Sequence, residues 1–426
     1  MTESRHPEPG TSGSARRVPA LVELTAVRSP GAARGLRLAP SAAFVLMGVT
    51  LGLVLFAAST PSPLYPVYER RFGFSPVTLT AIFAVYAFAL IAALLTTGAL
   101  SDRVGRRPVL LVSLLLLAAA MAVFAVADGV GWLFAARVLQ GLGTGVATGT
   151  LSAVLLDLQP RPGMGPTVSA VAPSLGLAVG ALGAGALVQH GPTPRQLVFW
   201  LLLGAFLLAA AALAVVPETV PYSPGWLRAV RPRIGVPPAA RATFVAVTPI
   251  VVAGWALTGF YLSLGPSLTA SLTGGDDRLV AGLPLAAIFG AGAIGSLVTP
   301  NWTAARAVLV GAPLFVVGTG LTIAAVGVDQ FWLYLVGSAI AGLGFGPSFA
   351  GSLRALAPLV GLTERGELLT AVYVTSYLGF SVPALAAGVL TTHIGLRATA
   401  NGYAAVIVAL ALIATVAYAV RARAAD

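Results

Sequence analysis

From Ala42 to Val420 the chain is a succession of apolar stretches, each near the 20 or so residues that a helix needs to cross the hydrocarbon of a bilayer. Twelve can be marked, beginning near Ala42, Val77, Val109, Trp132, Val168, Leu197, Phe244, Val280, Ala307, Phe331, Leu368 and Thr399. Short segments dense in breakers separate them, such as Asp128-Gly129, the PETVPYSPG turn after Val216 and Gly274-Gly275-Asp276-Asp277. The pattern predicts an all-α membrane protein with twelve transmembrane helices. Residues 1–41 differ: they are polar, rich in Pro, Gly and Ser, and carry Arg5, Arg16, Arg17, Arg28, Arg34 and Arg37 without apolar periodicity, which predicts a disordered arm. The run from Ala42 is followed by TPSPLYP with no small-residue cleavage pattern, so it is expected to stay as the first span.

Composition sharpens this picture by exclusion. Of 426 residues, 57% are hydrophobic and only 9% charged, which is incompatible with a soluble enzyme. All 25 basic residues are arginine, so no lysine is available for a phosphate-binding loop or a Schiff base. Cysteine is absent, and the three histidines, His6, His190 and His393, fall in the arm and in predicted outer loops, too far apart in sequence for a metal cluster. The 14 acidic residues are scattered, without the clustering that a membrane-embedded enzyme would need. The expectation is a protein with no catalytic residues, no metal and no cofactor.

The net charge of +11 is explained by where the arginines stand, and calls for no nucleic acid. With the amino terminus inside, 19 arginines fall in the arm, the inner loops and the tail, five in outer loops (Arg70, Arg71, Arg195, Arg278, Arg397), and Arg137 within a span. The positive-inside rule then predicts both termini cytoplasmic, and a multi-pass protein of the plasma membrane is expected.

The chain also repeats itself. A central loop, 217–243, separates residues 42–216 from residues 244–420, stretches of 175 and 177 residues, with a short tail at 421–426. QGLGTG at Gln140–Gly145 aligns with AGLGFG at Ala341–Gly346 at an offset of 201, and Ser169-Ala170-Val171 aligns with Thr370-Ala371-Val372 at the same offset. Matches in common order predict two pseudo-symmetric six-helix halves. Gly141, Gly143 and Gly145, with Gly176 and Gly180 in the fifth span, are read as close helix-packing positions; no strand precedes the first three, which excludes a nucleotide fingerprint.

The loop after the second span reads GALSDRVGRRP, from Gly98 to Pro108. It resembles the GxxxDRxGRR signature of the major facilitator superfamily through Gly98, Asp102, Arg103, Gly105, Arg106 and Arg107. RVLQGLGTG from Arg137 resembles the family's RxxQG pattern, and Pro217-Glu218-Thr219 the usual end of its sixth span. The chain is thus similar to the drug/proton antiporter branch, with one departure: in GLAVGALGAG, Gly180 is followed by Ala181 where that branch carries proline. The second-half copy of the loop signature is degenerate, with Thr299 in the place of the aspartate.

The resemblance implies a monomeric secondary transporter that rocks its halves around a midplane site, exporting a small, largely apolar molecule against protons. A proton-coupled importer is the alternative, and a transporter-like sensor a third reading. By resemblance, Asp102 faces the start of the eleventh span and Asp157 pairs with Arg106 or Arg107, a latch that holds the halves together on the inner side. Arg137, inside a span where an isolated charge is costly, is expected to face the cavity between the halves, the other reading being a snorkelling residue. Gln140, Tyr86, Trp255, Glu367, Tyr373 and Tyr377 complete the candidates for substrate binding or proton coupling.

Overall fold

A computed structural model describes residues 37–97, 100–224, 234–275, 277–361 and 364–425. Among these residues the regular elements are all helical, and twelve helices are long and apolar enough to span a membrane. They run Pro40–Phe72, Pro76–Thr97, Arg106–Ala125, Val130–Leu158, Met164–His190, Leu197–Val215, Pro238–Ser263, Arg278–Val298, Ala304–Gly327, Phe331–Leu359, Arg365–Ile394 and Leu396–Val420, the first to twelfth spans. Several begin a turn or more before their apolar stretch, the seventh at Pro238 instead of Phe244, because a helix continues past the hydrocarbon into polar residues that can start it. His190 and His393 accordingly occupy the last turns of the fifth and eleventh helices, not loops.

Local chemistry sets the ends. Asp277 caps the eighth span by accepting from the amides of Leu279 (2.9 Å) and Val280 (3.1 Å), and Thr303 caps the ninth by accepting from Arg306 N at 3.2 Å. The first span is interrupted. Its helix runs to Ser59, a 3-10 turn follows at Ser62–Leu64, and a second helix covers Tyr65–Phe72. Pro61, Pro63 and Pro66 cause the break, since none has an amide hydrogen to give the carbonyl four residues back.

The fourth span sits against the second and third. A side chain on Gly141 would strike the Tyr86 carbonyl, one on Gly145 would lie 2.7 Å from Leu90 O, and one on Gly143 2.8 Å from the Leu117 side chain. The tenth span repeats the arrangement: Gly342 abuts the Ile288 carbonyl and Gly346 the Gly292 carbonyl, both on the eighth span, while Gly344 abuts Phe315 on the ninth. The repeat found at an offset of 201 is therefore a repeat in space, with the second and third spans of one half matched by the eighth and ninth of the other. Gly176 and Gly180 pack on the first span, against the carbonyls of Gly52 and Phe56.

The two halves touch along two seams, fifth on eighth and second on eleventh. At the first, a side chain on Gly185 would lie 2.5 Å from Arg278 O and one on Gly282 2.7 Å from Ala181 O, and Gln189 Oε1 accepts from Arg278 N at 3.0 Å. At the second, Gly388 abuts the Thr80 side chain and the Phe83 and Phe380 rings are 4.6 Å apart. These contacts lie toward the ends of the spans remote from the Asp102–Arg107 loop. The halves are thus closed at the face opposite that loop.

Candidate functional site

At the arginine-rich end of the first half, a cluster of charges is organised by the tight bend at Gly105, whose φ of 106° is reached without strain by glycine. The bend starts the third span with Arg106 and Arg107 side by side. The Glu218 carboxylate, from beyond the sixth span, accepts from both their amides, Oε1 from Arg106 N at 2.8 Å and Oε2 from Arg107 N at 2.9 Å. An anion on two free amides at a helix start is a strong arrangement, charge-assisted and aligned with the helix dipole. A side chain on Gly105 would come within 2.9 Å of Glu218 Oε2, so glycine is needed for space as well as for conformation.

The Arg106 guanidinium gathers the rest. It donates from Nη1 to Ser101 Oγ at 2.7 Å and to Asp102 Oδ1 at 2.5 Å, and from Nε to Asp157 Oδ2 at 3.3 Å. Thr219 Oγ1 donates to the same Asp157 oxygen at 2.8 Å, and Arg107 Nη2 to Ala214 O at 3.1 Å. Arg103 holds the chain after the sixth span: its carbonyl accepts from Ser223 N at 2.7 Å. The structure thus brings Arg106 to Asp157, while Asp102 turns to Arg106 and not to the eleventh span; its side chain is 57% exposed. The helix and carboxylate that would meet belong to different halves, and among the described residues the close glycine contacts between the halves lie toward the other face. Gly98 lies outside the described residues. Glu218 was not singled out from the sequence, although a helix opening with two arginine amides calls for a nearby anion.

Arg137 faces neither the cavity nor the headgroups. It is 1% exposed, sealed inside the first half. Nε donates to Tyr65 Oη at 3.0 Å, Nη2 donates to the same hydroxyl, and Nη1 donates to Gln140 Oε1 at 2.7 Å and Ala58 O at 3.2 Å. Gln140 Nε2 donates to Ala57 O at 2.8 Å. The physical reason is the proline break: Pro61 has no amide hydrogen for the Ala57 carbonyl, and an oxygen left bare at this depth is costly. Gln140 supplies the missing donor to Ala57, and Arg137, one turn away on the fourth span, donates to the neighbouring Ala58 carbonyl. The rings of Tyr65, Tyr86 and Phe124 surround the guanidinium at 5.5, 5.3 and 5.9 Å. No carboxylate among the described residues pairs with it. In the second half the position at the same offset is Ser338, which bonds the Tyr261 hydroxyl at 2.7 Å, so a neutral pair stands where the first half carries a charge.

The remaining candidates separate. Trp255 and Tyr377 come together, ring centroids 4.8 Å apart, whereas Tyr86 packs on Arg137. Tyr373 is 36% exposed on the eleventh span, and Glu367 stands in that span's first turn, at the arginine-rich rim.

Comparison with known proteins agrees with this architecture. Residues 47–319 match the model of the Major Facilitator Superfamily. A curated relative, the MFS antiporter QDR2 of Candida albicans (strain SC5314 / ATCC MYA-2876), is 29% identical over 179 residues, 40% of this chain. The match spans only 35% of that relative's length. In overall fold the chain is similar to a crystal structure of a mutant of the nucleoside transporter NupG, with a TM-score of 0.69 at 11% identity, over 88% of this chain and 99% of that one. The signature loop, the repeated glycine packing and a family match over most of the membrane region lead to one conclusion: the chain is a multi-pass membrane protein that belongs to the major facilitator superfamily of transporters.

Proposed function

We propose that the chain exports a small, largely apolar molecule in exchange for protons, by alternating closure of its two halves around a site between them. The observation that carries this reading is that, among the described residues, the close contacts between the halves lie toward one face, Gly185, Gly282 and Ala181 at the fifth–eighth seam and Gly388, Thr80 and the Phe83–Phe380 ring pair at the second–eleventh, while the charged loop at the other face bonds within its own half. At the fifth–eighth seam the packing residues are small, so it can part and re-form with little loss of side-chain contact. The match to a fungal antiporter supports exchange. A proton-coupled importer is the second reading, favoured by Ala181 in the place of proline.

The two differ in sign. In liposomes holding a pH-sensitive dye, solute entry through an antiporter raises the lumenal pH and entry through a symporter lowers it, whichever way the protein is inserted. A solute panel that moves with no pH change would remove proton coupling. Sidedness, with both termini expected in the cytoplasm, is read in intact cells: the native chain has no cysteine, so Gly274→Cys should react with an impermeant thiol reagent from outside and Pro224→Cys should not.

The loop cluster acts, in this proposal, as a latch that engages when the arginine-rich face closes, with Asp102 leaving Arg106 for the amino-terminal end of the eleventh span. Asp102→Asn should therefore leave insertion and thermal stability nearly unchanged, because Arg106 keeps Asp157 and Ser101, while transport falls at least tenfold, roughly the effect of losing one such charge contact. Undiminished transport by the inserted variant would remove the latch.

A further inference from the structure

The seventh, tenth and eleventh spans of the second half share a cluster of aromatic rings. Trp255 of the seventh span lies against Phe349 of the tenth (5.8 Å between centroids) and against Tyr377 and Phe380 of the eleventh (4.8 and 6.0 Å), and Phe345 continues the tenth-span side at 6.1 Å from Phe349. One edge of this cluster is the second–eleventh seam, where Phe380 meets Phe83. The other edge reaches the eighth span, where Phe345 lies 3.9 Å from the place a side chain on Gly292 would take. The cluster thus extends from the second–eleventh seam at Phe380 to the eighth span, which packs on the fifth. Trp255, Phe345, Phe349 and Tyr377 are only half-buried, yet the Trp255 Nε1 hydrogen is buried and meets no acceptor among the described residues.

A ring cluster of this kind could serve a cation or a neutral aromatic molecule, and charge decides between them. Arg137 is a full positive charge whose hydrogen-bonding partners, Tyr65, Gln140 and the Ala58 carbonyl, are all neutral. Its guanidinium stands behind the Tyr86 ring, one helical turn from the Phe83 that touches the cluster. Its field in this low-dielectric interior is therefore uncancelled by any paired anion, and repels a second cation. The free indole N–H asks for an acceptor.

We infer that the site between the halves takes a planar aromatic molecule, neutral or anionic, that presents a hydrogen-bond acceptor to Trp255 Nε1, and that it discriminates against organic cations. This rests on the proposed transport site lying between the halves.

The test is equilibrium binding to the full chain in lipid nanodiscs, corrected with empty nanodiscs, using probes that share one ring system: 2-acetylnaphthalene, 2-naphthoate, 2-ethylnaphthalene and trimethyl(2-naphthyl)ammonium. The acetyl and carboxylate probes should bind at least about tenfold more tightly than the ammonium probe. Trp255→Phe, which keeps a ring and loses the donor, should weaken 2-acetylnaphthalene about tenfold, the scale of one well-made hydrogen bond, and leave 2-ethylnaphthalene unchanged. Ammonium binding as tight as that of the acetyl probe overturns the inference on the native chain alone, without any variant. Equal loss of both neutral probes in Trp255→Phe overturns the hydrogen bond. If probes bind as expected but no solute of any class crosses the membrane, the transport reading fails and the binding site stands; transport of a broad panel with binding indifferent to charge and to Trp255 fails the inference and spares the transport reading.

Discussion

Arg137→Ala is expected to bring transport close to background and to lower the thermal midpoint of the protein by several degrees, with Arg137→Lys between it and the native chain. Truncation leaves the Ala58 carbonyl, Gln140 Oε1 and the Tyr65 hydroxyl without their donor at a depth where no water replaces it. Each such loss costs about 1–3 kcal/mol. Removing a buried cation returns part of that cost, so the net loss should fall short of the sum. Lysine restores one charge but cannot reach three acceptors with a planar fork. The readouts are solute flux in liposomes and thermal unfolding followed in detergent. Should both variants transport at the native rate, the break in the first span does not depend on the fourth.

Gly282→Leu should reduce transport to less than about a tenth while expression and insertion are retained, because overpacking a close helix contact costs on the order of 1–3 kcal/mol or more. A side chain there meets the Ala181 carbonyl at 2.7 Å, so leucine wedges the fifth and eighth spans apart at the face where the halves are closed. Gly185→Leu, opposed by Arg278 O at 2.5 Å, should behave alike. Gly320→Leu is the control, since its added atoms meet nothing within 4 Å. Native flux in the Gly282 variant would mean that the seam is not re-formed in each cycle.

The contrast between what the sequence reveals and what it hides follows from dimension. Span positions are a one-dimensional property, hydropathy against length, and twelve apolar runs translate directly into twelve helices. The glycines at offset 201 are nearly as direct, because only a close neighbour explains several small residues on one helix. The surroundings of Arg137 are not one-dimensional. Its depth could be read, but the face it turns to depends on helix rotation, and its partners include carbonyls on the first span, 79 residues away for Ala58. A signal was present all the same: Pro61 within a span leaves the Ala57 carbonyl without its helical donor, which calls for a buried side-chain donor such as Gln140. Glu218 escaped for a related reason, since backbone amides are not visible as charges in a sequence.

The neutral company of Arg137 also has an electrical consequence. A membrane that holds a voltage acts on any net charge within it, at about 2.3 kcal/mol for one elementary charge carried through 100 mV. The first half carries such a charge in its interior, whereas the matching position of the second half, Ser338, is uncharged. If the halves rock as proposed, this charge is carried along the field, and a tenth of the full drop would correspond to roughly 0.2 kcal/mol at 100 mV. In that proposed cycle the balance between the two end states would respond to the membrane voltage even when the cargo is electroneutral.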